Sequence, residues 1–212
     1  VSTGNSKAAV ILAGCAVLGP ATAVFRFKQS GGLIALREQV NGDNTDFRTV
    51  MTRLKSLKPD ALYLPLFGAS LHSAIKQARA ANFEGAILSA DAFVDADISE
   101  TLGASEGMYL TQIWLRNDDF AKKYEARFGE AKISGTNLGY VALAYDAVML
   151  IDALAAKIRQ SGEAVTAKTL IKHLPNFSFT GVLGTTTLSS SSLVERREKI
   201  LQVKDGKLVE IQ

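Results

Sequence analysis

Short apolar runs separated by segments with helical apolar spacing fill the chain from Ala8 to about Trp114, and no other feature restricts the fold as much. The runs are Ala8 to Ala13, Leu33-Ile34-Ala35-Leu36, Ala61-Leu62-Tyr63-Leu64, Ala86-Ile87-Leu88 and Met108-Tyr109-Leu110-Thr111. They do not alternate polar with apolar, so they predict strands covered on both faces. Between them, Phe47, Val50, Met51, Leu54 and Leu57 share one helical face, and Leu71, Ala74, Ile75, Ala78 and Ala81 share another. Thr45 or Asp46 is the expected cap of the first helix, Pro59 its stop, and Ser70 the cap of the second. A short helix is expected from about Ile98 to Leu102. The fold class is α/β: a mainly parallel, doubly wound sheet in three αβα layers.

After Trp114 the pattern changes. Helices are predicted over Phe120 to Phe128, Leu138 to about Ile158 and Val165 to Leu174. The middle one is apolar around most of its circumference, with Asp146 and Asp152 as its main polar breaks, and therefore expects burial on more than one side. The tail reads as strands over Val182 to Leu188, Ile200 to Val203 and Leu208 to Ile211, with Asp205-Gly206 turning the last pair. Ser189 to Ser192 reads as a solvated loop.

Composition removes several functions. The 24 Lys and Arg residues are scattered among 21 acids for a net charge of +3. No basic stripe forms, and Glu195 and Glu198 interrupt Arg196, Arg197 and Lys199, so nucleic acid is not an expected partner. Cys15 is the only cysteine, which excludes an intrachain disulfide and a cysteine metal site. Of the two histidines, His72 shares a helix face with Lys76 and Arg79 and reads as solvated, and His173 sits at a helix end before Pro175. Asp95, Asp97 and Glu100 resemble the polar start of a short helix. With no His-x-Glu, paired-Cys or nucleophile-elbow pattern, no catalytic set assembles. An enzyme is not expected, nor a cofactor or metal.

Residues 8 to 25 carry no charge and admit three readings. Gly14, Gly19 and Pro20 interrupt the stretch as a membrane span. Leu12-Ala13-Gly14-Cys15 has the form of a lipobox, although the apolar segment before it is short. The favoured reading is a buried strand, a glycine turn and a helix with Pro20 in its first turn. Gly14 and Gly19 have P-loop spacing, but Pro20-Ala21 stands where Lys and Ser/Thr are needed, so phosphate binding is not supported.

Eight segments together resemble the type I periplasmic binding proteins, in particular the leucine/isoleucine/valine-binding group of ABC transporters. They are NGDNTDFRTV (41–50), PDALYLPLF (59–67), IKQARAANFEGAILSADAF (75–93), GASEGMYLT (103–111), FAKKYEARFG (120–129), ALAYDAVMLIDAL (142–154), FTGVLGTTTL (179–188) and ILQVKDGKLV (200–209). The resemblance implies two α/β lobes with a small molecule, by default a branched-chain amino acid, bound between them. Other amino acids, amides and aromatic acids are also accepted in the family. Residues 7–114 and 197–212 would form the second lobe, and 115–196 a mainly helical return to the first. The start of the first lobe, with the hydroxyl groups that hold a ligand carboxylate, would be missing. The chain opens on Val1, so residues upstream are expected. An apolar face of the long helix, including Val141, Tyr145, Val148 and Met149, would then meet water. The implied partners are the ABC transporter's membrane subunits, and the implied location is periplasmic or extracytoplasmic, with a lipid anchor if residues 12–15 are a lipobox. The alternative function is a ligand-sensing regulator or receptor domain of the same fold.

Ligands of open α/β sheets sit beyond the carboxyl ends of the strands. Those ends are Gly14 to Leu18, Phe67 to Ser70, Ala90 to Phe93 and Thr111 to Trp114. By resemblance, Asp91 would pair with a ligand ammonium; the alternative is a loop aspartate capping the next turn. Phe67 would form an aromatic wall or be a core residue at a strand end. Gly68 would let the ligand approach the backbone, or serve the turn. Ser70 is a helix cap or a ligand contact. Leu18 stands where the family commonly offers Tyr.

Overall fold

The computed structural model describes residues 6–13, 18–91, 93–112, 118–129, 138–191, 194–195 and 199–211. In chain order the elements are β1 (Lys7–Ala13), α1 (Leu18–Gln29), β2 (Leu33–Val40), α2 (Arg48–Leu57), β3 (Ala61–Leu64), α3 (Gly68–Ala80), β4 (Ala86–Ser89), α4 (Asp95–Glu100) and β5 (Tyr109–Gln112). Then come α5 (Asp118–Phe128), α6 (Leu138–Gln160), α7 (Ala167–His173), β6 (Ser178–Gly181), β7 (Gly184–Leu188) and β8 (Val194–Glu195), and finally β9 (Lys199–Lys204) and β10 (Lys207–Glu210). Two compact units result: residues 1–112 with 200–212, and residues 113–199.

The first unit is a three-layer αβα arrangement on a seven-stranded sheet in the order β10-β9-β5-β4-β3-β1-β2. Strands β2, β1, β3, β4 and β5 pair in parallel, and β9 with β10 antiparallel. The chain goes from β1 to β2 on one side and then crosses to β3 on the other. The strand order therefore reverses at β1/β3. Residues 8–13 are strand, as the favoured reading of the uncharged stretch requires, with Ala8 to Ile11 buried. Gly14 and Cys15 lie outside the described residues. Pro20 stands in the first turn of α1. Among the described residues no helix is long and apolar enough to cross a membrane.

One core fills this unit, built from Ala9, Ile11, Leu62, Leu64, Ile87 and Leu110 of the sheet against Val50, Met51 and Leu54 of α2 and Leu71, Ala74, Ile75 and Ala78 of α3. The predicted stripes thus face the sheet. The helix starts differ from expectation. Phe47, fully buried, holds the N-cap position of α2, and neither Thr45 nor Asp46 does. Asp46 still serves the helix from one residue upstream, where Oδ1 accepts the Arg48 N–H at 3.1 Å. The Phe47 N–H is satisfied from α3 by Gln77 Oε1 at 2.8 Å. Helix α4 starts at Asp95 rather than near Ile98, because Asp97 Oδ2 accepts the Val94 N–H and nucleates the turn. It stops before Leu102, whose φ of 52° leaves the helical region.

At the far end of the unit, Asp205 (φ 52°) and Gly206 (φ 68°) make the tight β9–β10 turn, since a two-residue hairpin of this hand needs positive φ at both positions.

In the second unit, Leu154, Ile158, Phe177 and Leu188 form one cluster and Phe120 with Ala142 another. Val182 to Leu188 is not one strand. Val182 and Leu183 are the turn between β6 and β7, held by the buried Asp146 of α6. On α6, Tyr145, Val148 and Met149 are exposed as expected, and Val148 is 66% accessible. Val141 departs from that expectation and packs against Phe120 and Ala142.

Candidate functional site

The carboxyl ends of β3 and β4 are fixed before any ligand-facing residue is reached. Leu64 pairs with Ser89 in register, and the buried Ser89 hydroxyl donates to the Leu64 carbonyl at 3.0 Å. Three residues beyond Leu64 stands Phe67, and two beyond Ser89 stands Asp91, so both lie on one rim beside the β1/β3 reversal. Crevices at such reversals are where open α/β sheets bind ligands.

Phe67 is 54% exposed, whereas Pro65 and Leu66 before it are buried. It is not a core aromatic. Its extended backbone (φ −131°, ψ 146°) passes into Gly68, whose φ of 49° is left-handed and above which a Cβ would meet open space. The positive φ alone favours glycine here, since a side chain would have room. No side chain caps α3, so its first-turn N–H groups and the positive end of its dipole are presented at the rim.

Ser70 is not the cap. It is the third residue of α3, 2% exposed, and its Oγ has no hydrogen-bond partner. Asp91 is half-buried. Leu18 opens α1 beyond β1, and its side chain lies outside the described residues, as do Gly14 to Val17, Ala92, Ile113 and Trp114. The rim combines a carboxylate, an exposed aromatic face and an uncapped helix N-terminus, a set that suits a small polar molecule with an apolar part.

The loop carrying Asp91 is tightly held. Phe93 is fully buried, and its carbonyl accepts from Gln112 Nε2 of β5 at 2.7 Å. Asp97 Oδ2 takes the Val94 N–H at 2.6 Å, and Asp97 Oδ1 lies 2.6 Å from His72 Nε2. The expectation of a solvated His72 face is therefore corrected. Lys76 reaches the Glu100 carbonyl and Arg79 the carbonyls of Phe83, Gly85 and Ala104, so this face of α3 packs on α4 and the following turns. The other histidine, His173 of the second unit, is partly buried and bonded to Glu163 at 2.7 Å. Helical periodicity could not find the His72 contact, because it records a residue's own helix and not what covers it. Gln112 carried a readable signal, a lone amide closing an apolar strand.

A groove of about 510 Å³ opens at the opposite edge of the sheet, before β3 and β4, over Met51, Leu54, Pro59 and Phe83. It lies away from the strand reversal, and its polar rim (Lys55, Lys58, Asn82 and Glu84) is a set of helix-end residues. Among the described residues no cluster of His, Cys, Asp or Glu could hold a metal ion.

The fold is the three-layer lobe of a type I solute-binding protein, related to the solute receptors of ABC transporters. The family model described as periplasmic binding protein matches residues 16–207, and the chain belongs to that family. The family is one of non-catalytic binding proteins, typically periplasmic or extracytoplasmic. A leucine-binding protein of Thermotoga maritima is similar at 21% identity and a TM-score of 0.79, over 98% of this chain and 60% of that one. A Rhodopseudomonas palustris solute-binding protein in complex with benzoate is similar at 22% and 0.76, over 97% and 57%. A Streptococcus pneumoniae branched-chain amino-acid substrate-binding protein in complex with isoleucine is similar at 18% and 0.73, over 97% and 59%. The chain thus spans about 60% of the length of these proteins. No curated protein matches it.

Proposed function

We propose that this chain contributes half of the binding site of an ABC-transporter solute receptor for an amino acid, by default a branched-chain one, or a related small molecule. Asp91 accepts the ligand ammonium, Phe67 lies against its apolar part, Gly68 lets it approach the backbone, and Leu18 completes the wall, with the buried Ser70 behind it rather than in contact. Residues 7–114 and 197–212 form the second lobe in this reading, and residues 115–196 return to the first. The division of the chain into units at 112/113 and 199/200 supports that assignment. Ligand contacts both lobes only in the closed state and so selects it, and the transporter's membrane subunits recognise the closed form.

The observation that carries the reading is the exposed Phe67 ring on the same rim as Asp91, directly after the buried Leu66. A thermal-shift screen of the twenty L-amino acids, their amides and benzoate tests it. Stabilisation by one chemical class, saturating with concentration, is the expected result; no shift by any compound refutes it.

A further inference from the structure

The two segments that bear Phe67 and Asp91 belong to different strand–helix units, yet one carboxylate joins them. His72 lies on α3 two residues after Ser70, one turn from the rim. Its Nε2 is 2.6 Å from Asp97 Oδ1, with the side chains only 13% and 16% exposed. An ionised carboxylate only accepts, so the imidazole carries its proton on Nε2 and donates. The other oxygen of Asp97 accepts the Val94 N–H at 2.6 Å, which ends the loop begun by Asp91. Gln112 holds the preceding carbonyl, that of Phe93, from β5. Along the same side of α3, Lys76 donates to the Glu100 carbonyl at 3.2 Å.

We infer that His72 and Asp97 form a strut that sets the Asp91 loop against the Phe67–Ser70 turn, making both positioning residues for the ligand. The inference rests on the reading of Asp91 and Phe67 as ligand contacts. Its physical basis is that a short charge-assisted hydrogen bond, largely screened from water, is strong and directional. Without it the loop keeps its buried Phe93 anchor but loses its tie to α3. Binding groups need their supporting hydrogen bonds to hold geometry.

The test compares wild type, His72→Ala and His72→Gln, the last of which restores an N–H donor. Amide hydrogen exchange is followed over residues 89–97, with residues 50–54 of α2 as the internal control, and L-leucine affinity is measured by calorimetry. His72→Ala should speed exchange in 89–97 at least tenfold without changing the control. It should also weaken L-leucine binding by about 10- to 100-fold, the size seen when the hydrogen-bond partners behind metal ligands are removed. His72→Gln should recover both. If His72→Ala does not fold, His72→Leu, which fills the space without a donor, carries the same two readouts. Exchange in 89–97 equal to wild type overturns the strut, whether or not L-leucine binds. A loosened loop rescued by Gln in a protein that no compound of the thermal-shift screen stabilises upholds the strut and overturns the ligand reading alone.

Discussion

A Cβ on residue 181 would overlap the carboxylate of Asp146, so Gly181 is what lets that carboxylate reach the turn between β6 and β7. Asp146 is 4% exposed, and its two oxygens accept the N–H groups of Val182 and Leu183, each at 2.9 Å.

Asp146→Ala should therefore cost about 3 kcal/mol, from the loss of two hydrogen bonds to a charged acceptor at roughly 1.5–3 kcal/mol each. Asp146→Asn, which keeps one acceptor oxygen, should cost about half of that. Gly181→Ala should destabilise in the same direction by pushing the carboxylate away. Urea unfolding measures all three, and an unchanged midpoint for Asp146→Ala would contradict the clamp.

Ser70 behaves in the opposite sense. Its hydroxyl is buried without a partner, so Ser70→Ala removes a desolvation cost and should leave stability unchanged or raise it by about 1 kcal/mol. A loss above that size in chemical denaturation would mean that the hydroxyl is bonded in solution.

Phe67 and Leu66 are neighbours with opposite exposures, 54% and 0%. Leu66→Ala should cost about 2–5 kcal/mol of stability. Phe67→Ala should stay within about 0.5 kcal/mol. The ligand affinity should fall about three- to tenfold in Phe67→Ala, the worth of one aromatic contact. Unfolding curves and titrations of the two variants separate a core residue from a binding one.

In the second unit, hydrogen bonds from Lys172 and then His173 lower the Glu163 carboxyl from its ordinary 4.5 to about 2. A carboxylate depressed in the fold contributes stability that is fully present above pH 4.5 and is lost as pH falls to about 2. The site is open to solvent, so the effect is small and salt-sensitive. Wild type should exceed Glu163→Gln in melting temperature at neutral pH, and the gap should close between pH 4.5 and about 2. A gap independent of pH would contradict this.

Several elements were legible because their cause is local. Ala61–Leu64 was predicted residue for residue, since a short apolar run between Pro59 and a helical stripe has few other fates. The faces of α2 and α3 followed from periodicity, and the Asp205-Gly206 turn from backbone preference. The departures come from partners distant in sequence. The turn at Val182-Leu183 has its glycines only at its flanks, Gly181 and Gly184 (φ 87°), and its two central N–H groups are held by the distant Asp146. Phe47 takes the N-cap position because the core buries its ring and Gln77 satisfies its N–H. Of the rim, the strand ends that carry Phe67 and Asp91 were legible, while the buried Ser70 hydroxyl and the His72–Asp97 contact needed three dimensions.

Calorimetric titration of wild type and Asp91→Asn with the amino acid that gives the largest thermal shift decides whether Asp91 meets the ligand ammonium. Asn keeps the shape of Asp91 and removes the charge that meets the ammonium. Affinity should be lower by about 10- to 150-fold in Asp91→Asn, since a charged hydrogen bond contributes about 1.5–3 kcal/mol. Equal affinity in the two proteins would contradict it.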